Sequence, residues 1–136
     1  MQGRAFLDTN IIIYFFSTHD EIKRNKAYEV LNKHNCVSSI QVMNESCNVW
    51  LKKFAMSAER ISGFLDSVEM VCEEVLPIQR STMDSALSLK ERYGFSYFDC
   101  IMLASALEGD CSIIFTEDMS DGQIINETLT IMNPFA

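Results

Sequence analysis

The sequence lacks the features that define several large classes of protein. No apolar run approaches the ~18 residues of a membrane-spanning helix, and the first residues do not form a signal-peptide pattern. There is no Walker A loop and no GxGxxG fingerprint. There is also no Ser/His/Asp or Cys/His arrangement with a spacing that supports nucleophilic catalysis. These absences predict a protein without a membrane span and argue against the P-loop, dinucleotide-binding and triad-enzyme classes.

The cysteines do not form a recognisable pairing or metal-binding pattern. Their number is odd, no two are spaced C-x-x-C, and all lie in apolar surroundings. Only His34, beside Cys36, is placed to assist a zinc site. We therefore expect reduced, buried thiols and a cytoplasmic protein, without zinc. The five residues are Cys36, Cys47, Cys72, Cys100 and Cys111.

Positive charge is scarce. The chain has 11 Lys and Arg against 19 Asp and Glu, a formal net charge of -8. This balance argues against nonspecific nucleic-acid binding by the whole surface, because phosphate contacts need clustered cations. It does not exclude a nucleic-acid enzyme whose metal ion supplies the positive charge, and it favours a basic partner or counter-ion.

Length and patterning predict one α/β domain over residues 1–136. Apolar residues make up 48% of the chain and charged residues 22%, which is typical of globular proteins. Short apolar strands alternate with helical stretches, without repeats or linkers. We therefore expect a three-layer αβα architecture, in which a parallel sheet lies between two layers of helices. Leu129–Met132 is predicted to be its last, edge strand.

The helix predicted over 40–54 has a clear apolar pattern. Val42, Val49 and Leu51 are expected to face inward, with Trp50 partly buried. Ser38 or Ser39 is the predicted N-cap of this helix, as Ser57 and Ser96 are of later ones.

The stretch RAFLDTNII near the N-terminus places an acid at the end of a short apolar run. We expect a buried strand that ends at Asp8, followed by a helix with Asn10 as its N-cap. Open α/β sheets bind ligands at the carboxyl ends of their strands. Taken alone, Asp8 is more simply explained as a helix-capping residue than as a metal ligand.

Three further acids occur at comparable places. Asp118 follows a strand, and Glu45 and Asp99 lie early in helices that should start at the same edge of the sheet. Each has an ordinary explanation: a turn for Asp118, solvent for Glu45 and a capping box for Asp99.

Taken together, the four acids favour a metal site. Two carboxylates ~5 Å apart repel by roughly 3 kcal/mol at an effective dielectric of ~20. A hard divalent cation such as Mg²⁺ or Mn²⁺ would turn this repulsion into attraction and would support phosphodiester hydrolysis.

Four segments in order resemble the PIN-domain family, and most nearly its VapC-like toxins from bacterial type II toxin–antitoxin pairs. They are LDTNIIIY at 7–14, Glu45 in a helix after a short strand, SYFDCIMLASAL at 96–107 and FTEDMSDGQ at 115–123. The closing IMNPF is also similar, so the resemblance covers nearly the whole chain.

The resemblance implies a five-stranded parallel sheet of order 3-2-1-4-5 and a Mg²⁺- or Mn²⁺-dependent endoribonuclease. It also implies a homodimer and an antitoxin partner whose peptide covers the active site. The resemblance implies that the family's four conserved acids correspond to Asp8, Glu45, Asp99 and Asp118. A fifth acid, Asp121, is placed to assist the metal. The side chains placed to support the site are Thr9, Asn10 and Thr116.

Two other readings compete with a nuclease. One is a non-catalytic PIN-like module that binds a basic peptide or RNA through its acidic rim. The other is a phosphotransfer domain of the receiver or haloacid-dehalogenase kind. The sequence disfavours the haloacid-dehalogenase kind because Asp8-Thr9-Asn10 lacks a second Asp, and the receiver kind because neither paired acids near the start nor a strand-end Lys is evident. For a nuclease, Lys52 is the preferred RNA contact, since it follows Glu45 by seven residues on nearly the same helix face.

Overall fold

A computed structural model describes residues 3–136 as alternating strands and helices. The strands are β1 (Arg4–Leu7), β2 (Cys36–Ser39), β3 (Glu74–Leu76), β4 (Cys111–Phe115), β5 (Ile124–Ile125) and β6 (Leu129–Met132). The helices are α1 (Thr9–Phe15), α2 (Glu21–Lys33), α3 (Ile40–Lys52), α4 (Ala58–Val71), α5 (Arg80–Tyr93) and α6 (Tyr97–Glu108).

The strands form one sheet of order β3-β2-β1-β4-β6-β5. β1 lies in the interior and pairs in parallel with β2 and β4. Its residues Ala5, Phe6 and Leu7 are almost completely buried, as expected of a parallel strand covered by helices on both faces. The continuous apolar run therefore specifies a central strand, and this strand delivers Asp8 to the carboxyl edge of the sheet.

The predicted order of the five parallel strands is confirmed, with β6 in the fifth place. The prediction that Leu129–Met132 forms the edge is wrong, because β5 pairs antiparallel to its outer side. Asn126 and Glu127, both with positive φ, turn the chain between β5 and β6. A strand of two residues is too short to show the period-2 alternation by which strands are recognised.

Serine side chains cap α3 and α6; Ser39 is the last residue of β2, and Ser96 lies in the turn after α5. Ser39 accepts a hydrogen bond from the Val42 backbone N–H, and Ser96 accepts one from that of Asp99. These caps satisfy backbone donors at the beginnings of α3 and α6. Both helices carry a predicted site acid near their starts.

The inward face of α3 differs from the prediction at two neighbouring positions. Trp50 is 2% exposed and Leu51 is 54% exposed, so the tryptophan is buried and the leucine faces solvent. Trp50 packs against Phe16 and Phe64, with ring centroids 5.8 and 5.0 Å away. The indole ring of Trp50 occupies the space between α1 and α4. The apolar pattern of α3 alone does not predict this contact, because it depends on two other helices.

The remaining architecture agrees with the expected class. Residues 100–106 of α6 are all buried, as the apolar run predicts. All five cysteines are free thiols, and four are buried as expected, whereas Cys47 on α3 is only partly buried. No helix between residues 3 and 136 combines the length and apolar character that spanning a bilayer requires.

Candidate metal centre and acidic cleft

Asp8 is the buried acid at the centre of the site. Its backbone N–H donates to the Phe115 carbonyl at 3.1 Å, which continues the pairing of β1 with β4. Its Oδ1 accepts from the Thr9 N–H at 2.7 Å, and its Oδ2 accepts from the Thr116 hydroxyl at 2.8 Å. Asp8 is the N-cap of α1, so the prediction of Asn10 as N-cap is wrong. Because β1 leads into α1 with a single residue between them, the cap and the candidate ligand are the same residue.

Asn10 and Thr116 connect Asp8 to the loop after β4. The Thr116 hydroxyl, which donates to Asp8, accepts from the Asp118 backbone N–H at 3.2 Å. The Asn10 amide nitrogen donates to Asp118 Oδ2 at 2.9 Å. The amide oxygen of Asn10 is buried without a hydrogen-bond partner among the described residues. Both predicted supporting residues thus orient site acids.

Glu45 approaches Asp8 from α3. Its Oε2 accepts from the Thr9 hydroxyl at 3.5 Å, while the Thr9 backbone N–H bonds Asp8. Thr9 therefore holds two of the acids from one position at the start of α1.

Asp99 lies in the first turn of α6, where Ser96 caps the helix. It is partly buried, and burial raises its pKa, as does the charge of Asp118. The capping-box explanation and the site explanation are therefore both consistent with its position.

The acids interact electrostatically. Burial, above all, raises the pKa of Asp8 to about 6; the charges of Asp99 and Asp118 raise it further, whereas the bonds from Thr9 and Thr116 lower it. Burial also raises the pKa of Glu45 to about 7, and the charges of Asp8 and Asp99 add to the shift. Each of the four acids thus either raises the pKa of another acid in the set or has its own pKa raised by one.

The donor chemistry fits a hard divalent cation, since carboxylate oxygens are the ligands that Mg²⁺ and Mn²⁺ prefer. Yet within residues 3–136 no three His, Cys, Asp or Glu side chains lie close enough together to enclose an ion. The structure therefore shows coupled carboxylates at one edge of the sheet rather than a closed ligand cage.

A cleft of about 560 Å³ lies between α1, α3 and the loop after β4, and two of the four acids, Glu45 and Asp118, line it. Thr9, Asn10 and Lys53 also line it. Its volume lies within the range of ligand-binding clefts.

Two residues that the sequence predicts for the site do not line the cleft. Asp121 accepts from the Asn133 backbone N–H at 2.8 Å and so fastens the C-terminal segment. Lys52, the preferred RNA contact, is an exposed residue at the end of α3. Its neighbour Lys53 lines the cleft. Helical periodicity places both lysines near the face of Glu45, so it does not predict which of the two reaches the cleft.

A second cluster of polar side chains lies beside the cleft, and no sequence pattern predicts it. Tyr14 donates to Glu117 Oε1 at 2.5 Å, and Lys23 donates to Glu117 Oε2 at 2.9 Å and to the Tyr14 hydroxyl at 3.0 Å. This cluster ties α1 and α2 to the segment that carries Asp118. Its members are far apart in the chain, so only the fold brings them together.

Comparison with known proteins gives the same picture of the fold. A toxin–antitoxin complex from Klebsiella pneumoniae superposes with a TM-score of 0.72 at 21% identity, covering 96% of this chain and 97% of that one. VapC20 of Mycobacterium tuberculosis, a sarcin-ricin loop cleaving toxin, gives 0.68 at 15% identity, covering 84% and 91%. VapBC2 of Rickettsia felis, bound to promoter DNA, gives 0.65 at 17% identity, covering 95% and 97%.

Sequence comparison adds the family. No curated protein sequence matches the chain significantly. The family model described as PIN domain matches residues 5–120, which include every one of the four acids. The chain belongs to the PIN-domain family.

Proposed function

We propose that this protein is a Mg²⁺- or Mn²⁺-dependent endoribonuclease and the toxin of a toxin–antitoxin pair. The observation that carries the proposal is the coupling of four acids at one sheet edge in a PIN-domain chain. Similar structures include toxin–antitoxin complexes and a toxin that cleaves the sarcin-ricin loop, which supports RNA as the substrate.

Four side chains would hold the metal ion. Asp8 is the most buried of them, and Asp99, Asp118 and Glu45 each interact with it electrostatically. A divalent cation would lower the raised pKa of Asp8 and of Glu45 by stabilising their charged forms. When bound, the ion polarises a phosphoryl oxygen and lowers the pKa of a water molecule.

The chain's other residues orient these acids and bind the strand. Thr9, Asn10 and Thr116 fix the rotamers of the carboxylates through the hydrogen bonds described above. Asp121, whose carboxylate accepts from the Asn133 backbone N–H, would assist the metal directly or through water. Lys52 and Lys53 at the end of α3 would contact RNA phosphates.

The carboxylates of the same site would also bind the protein partner, the antitoxin. A basic antitoxin segment would place a cation, such as an arginine, against the carboxylates and would neutralise them in place of the metal. The net charge of -8 is consistent with such a partner. Homodimer formation and a cytoplasmic location belong to the same proposal, and the similar complexes named above support a protein partner.

A second candidate function is a non-catalytic module that binds a basic peptide or RNA through the acidic cleft. The specific observation in its favour is that no three acidic, histidine or cysteine groups within residues 3–136 converge closely. Turnover distinguishes the two candidates, because a binding module gives none at any metal concentration.

Cleavage of end-labelled single-stranded and structured RNA tests the proposal. We expect cleavage by the parent protein with Mn²⁺ and none with a chelator. Asp99→Asn should reduce the rate by roughly a hundredfold or more, because it removes a metal ligand. The control Asp66→Asn, on the exposed face of α4, should cleave like the parent. Equal rates for Asp99→Asn and Asp66→Asn would contradict the site assignment, and no cleavage by the parent would favour the binding module.

A further inference from the structure

A second cavity lies beside the acidic cleft and differs from it in chemistry. Its lining includes four aromatic side chains together with His19 and Arg60, and we name it the aromatic pocket: Phe16, Trp50, Phe54 and Phe64. Its volume is about 120 Å³. An enclosed apolar cavity of roughly 150 Å³ holds a benzene molecule; this pocket is smaller but open to solvent on one side, so a planar ring would enter it in part.

The rings have defined orientations. Phe16 and Phe64 stack on each other with centroids 4.4 Å apart and planes 18° apart, and Trp50, which is buried, packs against both and closes the inner wall. His19 and Phe54 are parallel within 6°, with centroids 6.1 Å apart. Preformed aromatic faces are what proteins use to bind single-stranded nucleic acid, because every base has a π-face.

Cations accompany these rings. The Arg60 guanidinium lies over Phe64 at 5.6 Å, and the Lys53 ammonium lies over Phe54 at 5.7 Å. Neither cation forms an ion pair with an acid anywhere in residues 3–136. In a chain of net charge -8, two unpaired cations beside an aromatic pocket favour an anionic, ring-bearing occupant over an apolar side chain.

The aromatic pocket is continuous with the acidic cleft. Ile13, Ser17 and Phe54 line both cavities. Asn10 and Phe16 are six residues apart along α1 and its end, roughly 9 Å along the helix axis. A strand whose phosphate lies at the acids would therefore bring a nearby base to the pocket.

We infer that the aromatic pocket binds one unpaired base of the RNA strand, with Arg60 and Lys53 on the adjoining phosphates, so that the enzyme selects single-stranded or looped RNA. This inference rests on the proposed function, because it extends the same substrate path. The base-binding step involves stacking and needs no metal contact.

Trp50 provides a direct probe, since it is the chain's single tryptophan and forms part of the pocket. We would titrate the Asp8→Asn protein, in which cleavage is blocked, with 12-nucleotide oligo(U) and oligo(A) and follow Trp50 fluorescence. We expect saturable quenching by one or both oligonucleotides. An abasic 12-mer, which retains the phosphates, should bind more weakly and leave Trp50 fluorescence unchanged.

Substitutions at Phe54 separate stacking from simple apolar contact. Phe54→Leu keeps apolar volume but removes the aromatic face, and should weaken oligonucleotide binding about tenfold or more. Phe54→Tyr should restore it. Arg60→Gln should lower the slope of log affinity against log salt by about one. The control Tyr28→Ala, at an exposed aromatic residue of α2, should change neither quantity, and melting curves verify that each variant is folded.

Several outcomes would overturn the inference. They are unchanged affinity and quenching in Phe54→Leu, equal quenching by the abasic strand, or no RNA binding at all. Quenching by the basic apolar peptide Ac-Arg-Leu-Leu-Arg-NH₂ and not by RNA would make the pocket a protein-docking site instead. If the parent protein cleaves RNA and the Phe54→Leu protein binds and cleaves it equally well, the pocket inference fails while the proposed nuclease function stands.

Discussion

Replacing Asp8 by asparagine should stabilise the metal-free protein at pH 8. Burial raises the pKa of Asp8 from 3.8 to about 6, and one pKa unit corresponds to about 1.4 kcal/mol. The folded state therefore binds a proton more tightly than the unfolded state does. The resulting stability is fully present below about pH 4 and is lost as the pH rises through about 6, to a total of roughly 3 kcal/mol.

The asparagine keeps the buried volume but carries no charge. Its Oδ1 retains an acceptor for the Thr9 N–H, and its Nδ2 donates to the Thr116 hydroxyl. The pKa of about 6 already includes the lowering effect of the bonds from Thr9 and Thr116. We expect a net stabilisation of about 2 to 3 kcal/mol at pH 8, or roughly 6 to 12 °C in Tm.

Thermal unfolding in chelator at pH 8 and at pH 4 measures the effect. The difference between Asp8→Asn and parent should be clear at pH 8 and should nearly vanish at pH 4, where the parent carboxyl is protonated. The exposed Asp66→Asn should change Tm little at either pH. A lower Tm for Asp8→Asn than for the parent at pH 8 would refute the reasoning, because the charge would then be a net stabiliser of the fold.

Three further predictions concern the metal, the cluster beside the cleft and the backbone. Mn²⁺ at 100 times its Kd should stabilise the parent by about 2.7 kcal/mol and leave Asp8→Asn unchanged in melting curves; equal shifts would place the ion elsewhere. Lys23→Met removes the partner of Glu117, and since their side chains are only 34% and 22% exposed, urea unfolding should show a loss of about 1 kcal/mol; an unchanged midpoint would contradict this. Gly94→Ala should cost about 1 kcal/mol, because Gly94 ends α5 at φ +80. Gly63→Ala, in open space on α4, should instead stabilise by a similar amount in the same assay, and the same sign for both would refute the backbone argument.

Much of the fold could be predicted because local chemistry and tertiary structure agree. The run Ala5-Phe6-Leu7 reads as a buried parallel strand, and the structure pairs it on both sides. Serines before α3 and α6 mark helix starts and cap them as expected. Since strand ends and helix starts share one edge of a parallel sheet, the region of Asp8 and Asp99 follows from pattern alone.

Other features depend on packing that no local pattern encodes. The sequence predicts that Leu51 faces the core and that Trp50 is only partly buried, but Trp50 is the buried residue because its ring fills the space between α1 and α4. Asp8 rather than Asn10 caps α1, since the strand ends one residue before the helix. The link from Lys23 to Glu117 spans 94 residues, and periodicity carries no information at that separation.

The central claim is that Asp8, Glu45, Asp99 and Asp118 act together as one site for a divalent cation. A crystal of the protein grown or soaked with Mn²⁺ and measured for anomalous scattering tests it most directly. We expect a Mn²⁺ peak at the carboxyl edge of the sheet, coordinated by Asp8 and at least one of the other three acids, and no such peak in Asp8→Asn. No peak in the parent at saturating Mn²⁺, or a peak away from these acids, would contradict it.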